Sequence, residues 1–518
     1  MGFNSEWVSI MKGIAVEAFT AKACAPNLRG AFIDGQIQLM KPLFIDTMDL
    51  FFKVQFTNVI NRYLSDGSPD MVVVLCFDDY NNVPSCKSMT QLKRKQRVVD
   101  VLPFTETDDI PSQKCPANWE GAMCNRVFKT KLIRRITEKM GSLIKLRGPG
   151  QRVVVDFIGD PIEYSTVPGG MAIVGIDEPM FARHMTGGMF APIGEADCKM
   201  PRWVDYISSL HPNVAVDVIV DATDSDYIMI AMLHYEKQSR QIRAVHTAAA
   251  AAAATTNLGR ISIRRMVSHA KQHAAGEVQR AKRARTAAAG DSTAATTTKS
   301  KRVMEFVHVP LLSEVMSTIV QQMFSCERSP PLRCLAGIVA LGGNDFCRSI
   351  PQIGPHRMWE LLPLVLRDHQ KMRQAVSCKK TKLDLFSHSP SHMVREAAPH
   401  DPRWEMLHEG VLRDVIIARL YSHVYSRHCA EWDAASSFQG IRAIIVSSEC
   451  KLSQSTKQAF PTRGMLTGCV RNSSWNLMYW LSAVHGTMLG VCPDPLSSRY
   501  AYELQPDGKP GWMDVAAA

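Results

Sequence analysis

Residues 71–77, MVVVLCF, are apolar without a break and end on Asp78 and Asp79. Residues 31–33, AFI, close on Asp34 in the same way, and VDVIV (216–220) is followed by Asp221, Asp224 and Asp226 before apolar residues return. Such β-branched runs bounded by polar residues predict strands buried on both faces, the state found in a parallel sheet covered by helices. LAGIVALGGND (335–345) reads as a further strand, closing on Asp345 through a glycine pair suited to a tight strand-to-helix turn. GEADCK (194–199) places Glu195 and Asp197 two residues apart where a helix is expected to start. Strand-like and amphipathic stretches alternate, which predicts an α/β fold: a mostly parallel sheet with helices on both faces.

The pattern is uneven along the chain. Residues 1–236 form the N-terminal part of this domain and 304–366 its C-terminal part. Between them, 237–303 contain TAAAAAAATT, QRAKRART and KSKR and few large apolar residues. That composition predicts a basic, low-complexity, disordered insertion. Regular structure resumes in MEFVHVPLLSEVMSTIVQQMF, with a helix after Pro310. Residues 367–518 read as a mainly helical C-terminal region, in which Trp475, Tyr479 and Trp480 are spaced to share one buried helix face. No internal repeat is present.

Charge narrows the partner. The 518 residues carry a formal net charge of +11 and a pI near 9.0, which favours a polyanion, nucleic acid first. Fourteen cysteines are scattered without a C-x-x-C pair, which argues for a reducing compartment and against a zinc site. No stretch reaches the roughly 18 apolar residues of a membrane span. The expectation is a soluble intracellular protein with no membrane partner. The basic clusters of 237–303 read either as nuclear-import signals, hence a nuclear location, or as an arm adding salt-dependent affinity for phosphates.

Seven carboxylates stand at the predicted strand and helix ends: Asp34, Asp78, Glu195, Asp197, Asp224, Asp226 and Asp345. Gathered at the C-terminal edge of one sheet, where α/β folds bind ligands, they could not all ionise uncompensated. An all-oxygen donor set suits Mg²⁺, with Mn²⁺ as substitute. Two such ions about 3.5–4 Å apart can clamp the attacking and leaving oxygens of a displacement at phosphorus, so the reaction class indicated is phosphodiester hydrolysis. The bland alternative for any one of these acids is a helix cap or turn, the role expected of Asp79 and Asp221.

In chain order FID (32–34), CFDD (76–79), GEAD (194–197), DATDSD (221–226) and GGNDFCRSIPQIGPHR (342–357) resemble the flap-endonuclease (XPG-like) family of structure-specific 5′ nucleases, PIN-like proteins related to the 5′→3′ exoribonucleases. The resemblance covers about residues 1–236 and 304–366. It implies that Asp34, Asp78, Glu195 and Asp197 surround one metal ion and that Asp224, Asp226 and Asp345 hold the second. It implies a helix–two-turn–helix in which Gly354, Pro355, His356 and Arg357 grip duplex backbone, as the free N–H groups of a helix opened by Gly-Pro would allow. Lys87 and Arg94, seven residues apart and so two turns along one helix face, would neutralise the scissile phosphate; the alternative for this crowded basic stretch is a solvated face. The implied partner is flapped or branched DNA, in replication, repair or recombination. Departures are His356 in place of the family's lysine, Gln352 in place of a glycine, and no recognisable sliding-clamp motif. GEADCK, DSDYIMI and GGNDF also resemble exoribonuclease motifs, leaving an RNA-cutting enzyme, cellular or viral, as one rival. A non-catalytic nucleic-acid-binding scaffold is the other.

Overall fold

The computed structural model describes residues 5–23, 25–39, 45–78, 114–157, 161–167, 170–175, 195–211, 214–245, 260–268, 302–324, 330–343, 349–376, 416–425, 438–447, 450, 452–458, 460–485, 502–504 and 510–512. Its centre is a mixed sheet of β1 (Phe19–Thr20), β2 (Leu28–Asp34), β3 (Val72–Cys76), β4 (Arg152–Asp156), β5 (Ile162–Val167), β6 (Gly170–Gly175), β7 (Asp217–Asp221), β8 (Ile261–Ser268) and β9 (Arg302–His308). The spatial order is β1-β9-β8-β7-β2-β3-β4-β5-β6. The five inner strands, β8-β7-β2-β3-β4, are parallel, and antiparallel pairs complete both sides. The fold is α/β with a mostly parallel sheet.

Strand periodicity divides the interior in two. Phe32, Val74, Val154 and Val220 enter one core, with α1 (Ser5–Ile14), α7 (Ala196–Ser209), α8 (Asp226–Val245), α9 (Val309–Phe324), α10 (Pro331–Leu341) and α11 (Pro355–Val376). Their neighbours Ala31, Val73, Val153 and Ile219 enter the other. That second core is covered by α3 (Met48–Phe52), α4 (Asn58–Asp66), α5 (Trp119–Cys124) and α6 (Arg126–Leu143). Successive side chains leave a strand on opposite faces, so β3, buried at every position, shows continuous apolarity instead of alternation. The chain runs β2 to β3 to β4 in one direction and then returns to place β7 on the other side of β2. This reversal between β2 and β7 is the kind of switch point at which open α/β sheets bind ligands.

Three parts differ from the sequence expectation. LAGIVALGG is not a strand: α10 spans Pro331–Leu341, with all its residues from Leu332 onward buried. A helix enclosed on every side has no polar stripe, so its apolar run mimics a buried strand; Pro331 in its first turn is the start signal. The glycine pair ends this helix, and Gly343 takes φ +83°, where an added Cβ would lie 2.5 Å from the Ser349 nitrogen. Within 237–303, α8 continues to Val245 and β8 takes a place in the main sheet, so this stretch is not wholly an unstructured insertion.

The third difference concerns the C-terminal region. It is mainly helical as expected, with α12 (Ala418–Tyr425), α13 (Phe438–Val446), α14 (Gln454–Gln458) and α15 (Arg463–His485), followed by a small ribbon of β10 (Tyr502–Leu504) and β11 (Pro510–Trp512). However, α11 runs through residue 367, and α15 packs on α7, α8 and α10. Trp475, Tyr479 and Trp480 are buried in the same core as Phe32 and Val220. Among the described residues no helix is long and apolar enough to cross a membrane.

Candidate functional site

Three parallel strands deliver acids to one edge. The register pairs Asp34 with Cys76 and Cys76 with Asp156, so the ends of β2, β3 and β4 lie side by side. Asp78 follows β3, and Asp224 follows β7 on the far side of β2. Asp34 shares the parity of Phe32 and lies on the face covered by α7 and α15. Asp221 has the opposite parity and accepts bonds from Arg264 Nη1 at 2.7 Å and the Tyr63 hydroxyl at 3.0 Å. It is excluded from the cluster, as expected, but as the partner of a cross-strand ion pair instead of a cap.

The acids also hold the starts of helices at this edge. Asp34 accepts the Gln36 N–H at 2.8 Å and caps α2 (Gly35–Gln38). Asp78 reaches across to the Ala196 N–H of α7 at 3.0 Å, beside Glu195, which is fully buried, and Asp197, which is 8% exposed. Asp224 accepts the Asp226 N–H at 3.3 Å, at the start of α8. Unpaired N–H groups in the first turn of a helix favour such anions. Asp34, Asp78 and Asp224 thus act at helix starts, and they do so along one edge of the sheet.

Their mutual repulsion is expressed at Asp34. Burial, then the charge of Asp78, with smaller contributions from Asp224 and Asp197, raises its carboxyl from 3.8 to about 7 against the opposing Gln36 N–H. Asp78, Asp197 and Asp224 thus lie within electrostatic reach of Asp34. Asp226, 2% exposed, joins them through Asp224. Glu195 and Asp197 face Tyr479 of α15, whose phenol is pushed upward by burial, by Cys198 and then by these two acids. Among the described residues no group of three or more His, Cys, Asp or Glu side chains is placed so that it could hold a metal ion. The all-oxygen donor set and the charge crowding fit a divalent cation; Asp345, Lys87 and Arg94 lie outside the described residues, as does Asp79.

Several residues at this edge escaped sequence reasoning. Asp156 ends VVVD at the close of β4, a signal identical to that of the other strands. It is neutralised by Lys199 Nζ at 2.7 Å and accepts the Trp203 indole N–H at 2.8 Å. Burial opposes the Lys199 charge, but Asp156, Cys76 and Asp78 outweigh it and raise the ammonium's pKa. Lys199 also donates to the Phe77 carbonyl at 3.3 Å and the Phe157 carbonyl at 3.4 Å, fixing the strand end that carries Asp78. Tyr227, buried against Phe32, is held protonated by burial and by Asp34, Asp197, Cys76 and Asp78. Nothing in the pattern DSDYIMI separates its ring from ordinary core.

The stretch expected to grip duplex opens a helix, as its Gly-Pro pair predicts. Gly354 precedes α11, Pro355 is its first residue, and Gly354, His356 and Arg357 are exposed. The Glu6 carboxylate lies 3.7 Å from where a Cβ on Gly354 would stand. Gln352, in place of the glycine that the resemblance leads one to expect, takes φ +64°. It is held there by bonds from C-terminal helices: Tyr425 donates to its side-chain oxygen, its Nε2 donates to the Thr456 carbonyl at 3.4 Å, and Tyr421 donates to the Pro351 carbonyl at 2.7 Å. Arg357 Nη1 donates to the Gln352 carbonyl at 3.2 Å. No protein-family model matches the chain, and no curated protein is significantly similar to it.

Proposed function

We propose that this protein is a divalent-metal-dependent nuclease that hydrolyses phosphodiester bonds, of the structure-specific 5′-nuclease type. The observation that carries the reading is the convergence of Asp34, Asp78, Asp197 and Asp224 at the switch point of a parallel sheet, where burial and then the neighbouring charges raise Asp34 to about 7. An edge that only closed strands onto helices would have no need of mutually repelling buried acids. Asp34, Asp78, Glu195 and Asp197 would hold one Mg²⁺, and Asp224 and Asp226, with Asp345, the other. When bound, such ions polarise the phosphoryl oxygens and lower the pKa of a coordinated water.

The chain's own groups prepare that site. Helix-start N–H groups fix Asp78 and Asp224 in orientation. Lys199 cancels the charge of Asp156, so that this acid adds little to the repulsion. Tyr227, buried against Phe32, limits water on the Asp34 face, which strengthens electrostatic interactions there. The exposed first turn of α11 offers backbone N–H groups and Arg357 to a phosphate, which favours a substrate with duplex character over a purely single-stranded one.

The test is cleavage in Mg²⁺ of 5′-labelled flap DNA and of single-stranded RNA, with Asp226→Ala as the blank. Cutting near the flap junction, abolished in the variant and by EDTA, is expected. Preferred cutting of the RNA would assign an exoribonuclease-like activity instead. Metal-independent binding without cutting would leave a scaffold.

A further inference from the structure

The β8 strand brings one cation to the acid edge. Asp221 pairs with Arg264 in register, so Arg265 follows at the level of Ala222, two residues before Asp224. Its parity is that of Ile261 and Ile263, which enter the core under α8 and α9; Arg264 leaves the opposite face toward Asp221 and Tyr63. Arg265 therefore lies on the face that holds Asp34 and Asp224. Its nearest cross-strand carboxylate is Glu305, but that group accepts the ammonium of Lys12.

The guanidinium is left in an unusual state. Its Nε and Nη1 atoms are sealed from solvent and have no hydrogen-bond partner among the described residues. Burial disfavours its charge, and Glu305 and then Asp224 act against that at a distance. A buried charged donor without a bonded acceptor is costly, and such a group is retained where an acceptor arrives from outside. Guanidinium matches the oxygens of a phosphate in geometry and charge.

Resting on the nuclease reading above, we infer that Arg265 is a phosphate-binding residue of the acid site, contacting a phosphate of the nucleic-acid strand that lies beside Asp224. It would offset the negative charge that the scissile region and the carboxylates place together. The group bound is either a terminal 5′-phosphate or an internal phosphodiester, and the chemistry that recognises them is shared.

Arg265→Met and Arg265→Lys test this by fluorescence anisotropy in Ca²⁺, with one single-stranded oligonucleotide carrying a 5′-phosphate and a second ending in a 5′-hydroxyl. The Met variant should bind about tenfold more weakly, with a salt slope smaller by about one, and the Lys variant should recover part of the loss. Loss confined to the phosphorylated strand identifies the terminal monoester; equal loss on both identifies an internal diester. Without nucleic acid the Met variant should melt no lower than wild type, because buried guanidinium donors without a bonded acceptor have been removed. Unchanged binding in Arg265→Met overturns the assignment, as does a lowered Tm with binding that Lys does not restore, since that marks a structural arginine. Wild type that binds and cuts while Arg265→Met equals it overturns this inference alone; wild type that binds neither oligonucleotide overturns the nuclease reading with it.

Discussion

Asp34 carries both a structural and a chemical burden, and the two can be separated. It caps α2 through the Gln36 N–H, yet its pKa near 7 shows that the fold resists its charge. At pH 8, ionising it costs the metal-free protein on the order of 4 kcal/mol relative to the unfolded chain. Asp34→Asn keeps an oxygen to accept the Gln36 N–H and removes the charge. In EDTA at pH 8 its Tm should therefore rise above that of wild type, whereas Mg²⁺ should stabilise wild type and leave the variant nearly unmoved. Thermal melts with and without metal check this; a variant less stable than wild type in EDTA would mean that the fold does not resist the Asp34 charge. At this scale much of the site was legible, because an acid that ends an apolar run is conspicuous. Asp156 shows the limit: its sequence signal is the same, and only its neighbours Lys199 and Trp203 reveal that its charge is already matched. Arg265 was illegible, since it sits in a stretch whose composition reads as disordered.

Elements were legible where a short apolar run ends on an acid, as in β2, β3 and β7, and misread where a fully buried helix shows the same unbroken apolarity. The α10 helix lacks a polar face, so only its proline start and glycine end distinguish it from a strand. The packing of helices on one another is equally hidden from local pattern, and two contacts make it measurable. Asp205 of α7 lies 3.0 Å from His234 Nε2 and accepts Gln238 Nε2 at 3.0 Å, both from α8. Burial alone would raise this carboxyl, but His234, Lys237 and Gln238 outweigh it and hold it below its usual 3.8. The folded state thus binds fewer protons than the unfolded chain. The stabilisation is present above 3.8 and is lost as pH falls through that value and below. Asp205→Asn should be less stable than wild type at pH 7, with the gap narrowing below about pH 4, as denaturant melts at several pH values would show. At the second contact, Tyr421→Phe removes the donor to the Pro351 carbonyl and should cost about 1 kcal/mol. It should also loosen the turn before α11, weakening binding of flap duplexes more than of single strands. Equal weakening of both would detach that turn from the duplex.

At the scale of the whole molecule, the sequence suggested an α/β unit, a basic insertion and a helical appendage, and the last two boundaries dissolve in three dimensions. Local pattern cannot show that α15, more than 200 residues after α8 in the chain, lies against it, or that ISIRRMVS pairs with β7. The insertion is therefore divisible. β8 is bonded to β7 on one side and to β9 on the other, and the β8–β9 pairing runs to its last register pair, Ser268 with Arg302. Because these ends lie directly opposite each other, the two strands could be joined by a short hairpin turn of the Asn-Gly type. Replacing 269–301 with such a turn should leave Tm within about 2 °C of wild type, since a shorter loop changes closure entropy only slightly. Replacing 260–301 should abolish folding, because it takes a strand out of the sheet. The short-turn variant also isolates the basic arm. If QRAKRART and KSKR add nonspecific phosphate contacts, its affinity for DNA should fall at low salt, with a shallower salt dependence, while on the proposed nuclease reading the position of cutting should not move. A change in the cleavage position would place the arm within substrate selection, and unchanged affinity at every salt concentration would remove it from nucleic-acid binding.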